Sequence, residues 1–236
     1  MLKKIVHSLI LVVVLVIGYF AARESYDKTR PPPPEPTYQF LVLGDSYTRP
    51  DHVTLAQSWA QQVVNIFRDE RLLVNDPDFV AKVGMQTERL GIEIEDPKYK
   101  GKYNLVLLQV GADDILAGID EETYRIKFAN LLVKAKALVE GDATRVLVLS
   151  IPDWTAIRSK EVANREQTRA TIDRFNEINA EESSNATVRY IDITNLSRQA
   201  AYNLSFVSED GTNPSDYMYE IWARKVYPVA LTALGR

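Results

Sequence analysis

From Gln39 onward, short apolar runs alternate with longer segments whose apolar residues recur every three or four positions. The runs Gln39–Leu43, Phe79–Val83, Leu105–Val110, Arg145–Ile151 and Val188–Ile193 have the length and hydrophobicity of strands buried on both faces. The segments Leu55–Arg68, Glu121–Glu140, Lys160–Glu182 and Pro214–Leu234 read as helices. Within Glu121–Glu140, Tyr124, Phe128, Leu131, Leu132, Ala135 and Leu138 share one face, a stripe that belongs to a core. Alternation of this kind predicts a parallel sheet covered by helices on both faces.

The pattern before Gln39 is different. Lys3 and Lys4 precede Ile5–Ala22, an apolar run interrupted only by His7, Ser8 and Gly18. As a helix this run spans about 27 Å, enough for a bilayer core. Residues 1–22 therefore predict an N-terminal transmembrane anchor. The lysines would stay cytoplasmic and the rest of the chain extracytoplasmic, in a periplasm or outside the cell. The alternative is a signal peptide cleaved near Ala21 and Ala22, which would release a secreted protein. Residues 23–37, with Pro31–Pro34 and Pro36, predict a stiff polyproline II linker. Residues 38–236 are left as one domain.

Composition narrows the classes. Of 236 residues 46% are hydrophobic, which suffices for a single α/β core. A formal net charge of −4, with no basic tract beyond Lys3 and Lys4, argues against nucleic acid as a partner. The absence of cysteine excludes disulfides, zinc–thiolate sites and a cysteine nucleophile. No cofactor or resident metal is expected, and the oligomeric state is not legible.

The candidate chemistry lies just beyond the strands. After Leu43, Gly44 permits a sharp turn into Asp45 and Ser46. Open α/β sheets place their ligand crevices at such carboxyl ends. A serine there is a nucleophile if a base takes its proton, and otherwise Asp-Ser is only a good turn. Gly84 follows the second run, Gly111-Ala112-Asp113-Asp114 the third, Asp153-Trp154 the fourth, and Asp192 and Thr194 end the fifth. Asp210-Gly211-Thr212-Asn213 precedes the last helix. Asn213 and Pro214 also suit the cap and first residue of that helix.

This order of motifs resembles the SGNH/GDSL hydrolase family, in its bacterial esterase-like branch, over most of the chain from Tyr38 to Tyr227. The resemblance implies a flavodoxin-like three-layer α/β/α sandwich with a parallel five-stranded sheet. It implies a serine hydrolase of small acyl esters, such as acetylated glycans or lipids. Ser46 matches the nucleophile, the amides of Ser46 and Gly84 match oxyanion donors, and Asp210 matches the acid that orients the base. Two positions depart from the pattern. Asp113 stands where the family has an Asn that donates to the oxyanion, and Asn213 stands where it has the His base.

Both departures bear on mechanism. Loss of a triad base costs about 10⁴–10⁶ in rate, and loss of one oxyanion donor about 10²–10³. An ionised Asp113 would repel a developing oxyanion. It could donate only when protonated. His52, in the loop after the first strand, is the alternative base, against the reading of an exposed loop histidine. Asp45, Asp113, Asp114 and Asp210 could instead form an oxygen-ligand cluster for Ca²⁺ or Mg²⁺, or Asp114 could cap a neighbouring segment. Two functions therefore compete. One is a membrane-anchored ester hydrolase with a degenerate site. The other is a non-catalytic relative that binds an envelope glycan or a partner protein.

Overall fold

The apolar run at the start of the domain forms β1 (Phe40–Gly44), every residue of which is buried. It pairs in parallel with β2 (Asp78–Ala81) on one side and β3 (Leu105–Gln109) on the other. β4 (Val146–Leu149) and β5 (Arg189–Ile191) extend the sheet, also in parallel, giving the order β2-β1-β3-β4-β5. Burial of each Leu or Val in the central strands contributes about 1.5–3 kcal/mol, which is why the near-continuous apolar runs were legible as strands.

The computed structural model describes residues 12–23, 38–101 and 103–236. The chain divides into two units, Met1–Glu35 and Pro36–Arg236. In the first, residues 12–23 are helical, and Val12–Ile17, Tyr19 and Phe20 are exposed. Part of the expected membrane segment, and all of the expected linker except Arg23, lies outside the described residues. Among the described residues no helix is long and apolar enough to cross a membrane.

In the second unit the principal helices are α1 (Trp59–Asp69), α2 (Thr87–Glu93), α3 (Ala112–Leu116), α4 (Glu121–Ala137), α5 (Arg165–Asn185), α6 (Thr194–Ser197) and α7 (Asp216–Ala233). α1 packs on α7, and α4 packs between α2 and α5, so helices cover the sheet in a three-layer sandwich. The predicted stripe of α4 is buried as expected, from Tyr124 to Leu138. Three short helices, α2, α3 and α6, were not legible, because a helix of one or two turns shows too little period. Three helix starts move, and α1 begins at Trp59 with Ser58 as its cap, leaving Leu55–Gln57 as a separate 3-10 turn. α5 begins at Arg165, with Asn164 as its cap, leaving Lys160 in the preceding loop. α7 is capped by Ser215, whose side chain accepts from the Met218 amide, so Asn213 and Pro214 lie outside it. Pro214 instead forms an isolated antiparallel bridge with Val207.

Candidate active site

The sheet order reverses direction between β1 and β3, and crevices form beyond the carboxyl ends of strands at such a switch point. The turn after β1 is fixed there by contact with β3. The Gln109 carbonyl accepts from the Asp45 amide at 3.3 Å and from Thr48 Oγ1 at 3.0 Å. Gly44 makes this fit feasible. A Cβ there would lie 2.0 Å from Thr48 Oγ1 and 2.3 Å from the Gln109 carbonyl. Asp45 is buried and ties the turn to α3, accepting from the Tyr47 amide at 3.0 Å and the Ala112 amide at 2.9 Å.

Three donors then converge on one carboxylate. Asp113 Oδ2 accepts from the Ser46 amide at 3.3 Å and the Gly84 amide at 2.8 Å. Asp113 Oδ1 accepts from Ser46 Oγ at 3.3 Å. Gly84 holds φ at +79°, a conformation glycine adopts at no steric cost. The two amides expected to bind an oxyanion thus already hold an oxygen, that of Asp113. Asp113 is 7% exposed, and burial raises its pKa against the pull of the Ser46 and Gly84 donors. Burial, reinforced by the neighbouring Asp113 charge, pushes Asp45 up to about 8.

The remaining acids separate rather than cluster. Asp114 accepts from the Thr87 amide and hydroxyl, so it caps the start of α2 from α3. Asp210 stays within its own loop, accepting from Ser208 Oγ, the Thr212 and Asn213 amides and Asn213 Nδ2. Burial works against ionisation of Asp210, but the donors, led by the Asn213 side chain, outweigh it and hold the pKa well below the usual range. Among the described residues no three such groups could hold a metal ion.

Asn213 relates to Asp210 as the expected base would. Its Nδ2 donates to Asp210 Oδ2 at 2.9 Å. Its Oδ1 accepts from Lys160 Nζ at 3.4 Å. Lys160 was not singled out from sequence, because a lysine at the head of an apparent helix carries no signal. His52 is not the exposed loop residue expected. Its side chain is 11% exposed, its Nε2 lies 3.0 Å from the Pro214 carbonyl, and its ring stacks on Tyr219. A carbonyl only accepts, so this contact uses a proton on Nε2 and leaves Nδ1, 3.8 Å from Asp51 Oδ1, as the accepting nitrogen of the neutral ring, and no hydrogen bond joins His52 to Ser46 among the described residues.

The Ser46 turn and the Asp210 loop approach each other through their neighbours. Tyr47 and Pro214 line one small apolar cavity with Trp154, Ile157, Phe206 and Met218. Tyr47 stacks on Trp154 with ring centroids 6.1 Å apart. The hydrogen bonds of Ser46 and of Asn213 form separate groups in the described structure.

The family model of GDSL-like lipases and acylhydrolases matches residues 42–221. The fold is similar to that of a psychrotrophic esterase from a Pseudoalteromonas species, with a TM-score of 0.65 at 13% identity, covering 84% of this chain and 100% of that one. It is also similar to an acetyl xylan esterase from Geobacillus stearothermophilus, with a TM-score of 0.64 at 17% identity over 85% and 96% of the two chains. A lipase from a goat rumen metagenome gives 0.64 at 20% identity over 82% and 97%. No curated protein matches the chain significantly.

Proposed function

Since the chain belongs to the GDSL-like lipase/acylhydrolase family, we propose that it is a serine hydrolase of small acyl esters whose oxyanion pocket is filled at rest by its own Asp113. One observation carries this reading. The Ser46 and Gly84 amides converge on a single carboxyl oxygen, beside the Ser46 hydroxyl. Two amides that hold a carboxylate oxygen this way can hold the oxyanion of an attacked ester. In this mechanism the ester carbonyl oxygen takes the place of Asp113 Oδ2, Ser46 Oγ attacks the carbonyl carbon, the ester C–O bond breaks, and an acyl-serine forms as the proton lost by Ser46 ends on the departing alcohol. Ionised Asp113 opposes the step by repulsion, so the site is slow while that carboxylate stays in place. The ester class is that of short acyl groups on an alcohol or glycan, since the apolar cavity beside the Ser46 turn, lined by Tyr47, Trp154 and Met218, encloses little space.

The test is hydrolysis of p-nitrophenyl acetate by the full-length protein beside Ser46→Ala and Asp113→Asn. The expected result is a rate above buffer that Ser46→Ala abolishes and Asp113→Asn raises. A folded wild type and a folded Asp113→Asn variant that both match buffer would overturn it. The same crevice without catalysis is the second reading, favoured by the carboxamide at 213, which cannot take a proton. It is met by saturable binding of an acetylated glycan to a hydrolytically inert protein. We further propose that residues 5–22 anchor the chain in a membrane, with the hydrolase domain on the extracytoplasmic side. The lysines before an apolar run favour this, and secretion after cleavage is its alternative.

A further inference from the structure

We propose that Asp114 is a positioning residue of the oxyanion pocket, holding the Gly84 amide in place once a substrate oxygen has displaced Asp113. The inference deepens the hydrolase reading and rests on it. The turn from β2 into α2 carries Gly84, whose amide is one of the two that converge beside the Ser46 hydroxyl. Little within the turn fixes that amide. Gly84 has no side chain, and a Cβ built on it would meet nothing within 4 Å. Val83 before it is exposed. Gln86, at the cap position of α2, makes no side-chain bond to the helix amides.

The turn is held from α3 instead. The side-chain hydrogen bonds that tie residues 84–87 to another element end on two successive acids of that helix. Asp113 Oδ2 accepts from the Gly84 amide at 2.8 Å. Asp114 Oδ2 accepts from the Thr87 amide at 3.0 Å and from Thr87 Oγ1 at 2.8 Å. Asp114 and Thr87 are both buried, so these bonds form where water does not compete for them.

The two tethers differ in what the reaction does to them. The ester oxygen takes the place of Asp113 Oδ2, so the tether on Gly84 is given up as the oxyanion forms. The tether on Thr87 touches none of the reacting atoms and persists through the step. Between them lies Met85, which is buried and whose amide is bonded to the Lys82 carbonyl at 3.2 Å. A fixed Thr87 and a buried Met85 leave the Gly84 amide little freedom to swing away. An oxyanion donor is effective only when it is already aimed at the developing charge. Asp114 thus supplies the preorganisation that Asp113 gives up. One oxygen, Oδ2, takes both Thr87 donors, so a carboxamide oxygen in the same place can take them too.

The experiment measures kcat and KM for p-nitrophenyl acetate with full-length Asp114→Ala, Asp114→Asn, Thr87→Val and Asp120→Ala, each in the wild-type and in the Asp113→Asn background. Asp120 caps α4, accepting from the Thr123 amide at 2.9 Å, so its variant removes a helix cap that has no hydrogen bond to the Gly84 turn. The expected result for Asp114→Ala is a fall of about 10-fold to 10²-fold in kcat, with KM within about threefold of its background. Asp114→Asn returns kcat to within about threefold of the background, because it restores the acceptor oxygen. Thr87→Val, which keeps the amide donor, lowers kcat by about threefold to 10-fold. Asp120→Ala leaves kcat unchanged while lowering the melting temperature. A folded Asp114→Ala with the kcat of its background, or an Asp120→Ala that loses as much as Asp114→Ala, would overturn the positioning role and leave the hydrolase standing. If Asp114→Ala does not fold, Thr87→Val with unchanged kcat overturns it. A folded wild type and a folded Asp113→Asn variant that both match buffer would instead overturn the hydrolase reading, and this inference with it.

Discussion

On the proposed reading, Asp113 keeps the shape of the expected Asn, since a carboxylate and a carboxamide are nearly isosteric, while Asn213 keeps only a hydrogen bond to Asp210 and lacks the basic nitrogen of the expected His. Asp113→Asn replaces a negative charge on the Ser46 and Gly84 amides by a neutral group with a donor. It is expected to raise kcat/KM for p-nitrophenyl acetate by about 10-fold to 10²-fold, somewhat less than the cost of deleting an oxyanion donor. Asn213→His, added to it, is expected to raise the rate further and more than additively, because base and oxyanion pocket act on one transition state. Asp45 gives a pH prediction. Its folded pKa of about 8 lies above the unfolded value of about 3.9. The folded state therefore binds the extra proton between those values, and stability falls as pH rises through that window. Burial raises Asp113 and Asp114 as well, with the same sign. The melting temperature is expected to be higher at pH 5.5 than at pH 8.5. A melting temperature that is flat or rising over that range would contradict the raised carboxyls. At this scale the residue types were legible, but not the partners. Nothing in Gly111-Ala112-Asp113-Asp114 says that one acid lies on the Ser46 amide and the next on Thr87, because those partners are brought in by other elements.

At the scale of elements, strands were read more accurately than helix ends. A strand buried on both faces is a continuous apolar run, whereas a helix end is set by which side chain reaches a free amide. Asn213 had the right residue type for a cap, but its side chain is held by Asp210 and Lys160, and Ser215 caps α7 instead. Ser215→Ala is expected to lower stability by about 1 kcal/mol in urea denaturation, while the same change at Asn213 leaves the helix cap intact. The end of β1 is tighter. A Gly44→Ala methyl would lie 2.0 Å from Thr48 Oγ1 and 2.3 Å from a backbone carbonyl that cannot move without breaking the β1–β3 register. The expected loss is about 3 kcal/mol or more, with displacement of Ser46, and wild-type stability in this variant would contradict the close approach.

For the whole molecule, the apolar N-terminal run predicts that the full chain sediments with membranes and that a chain starting at Pro31 remains in the supernatant. Equal partitioning of the two would remove the anchor. The sequence by itself determined the alternation of buried strands and covering helices, and from it the parallel sheet and the rim of polar residues beyond its strands. It could do so because hydrophobic period and strand length are local properties, fixed by how each segment buries its own apolar face. The tertiary structure alone decided that Asp113 occupies the amides of Ser46 and Gly84. It also decided that His52 is committed to the Pro214 carbonyl and that Lys160 meets Asn213. These contacts join residues up to 162 positions apart in the chain. Each depends on a loop path and a side-chain rotamer set by the packing of the entire domain, which no local pattern encodes.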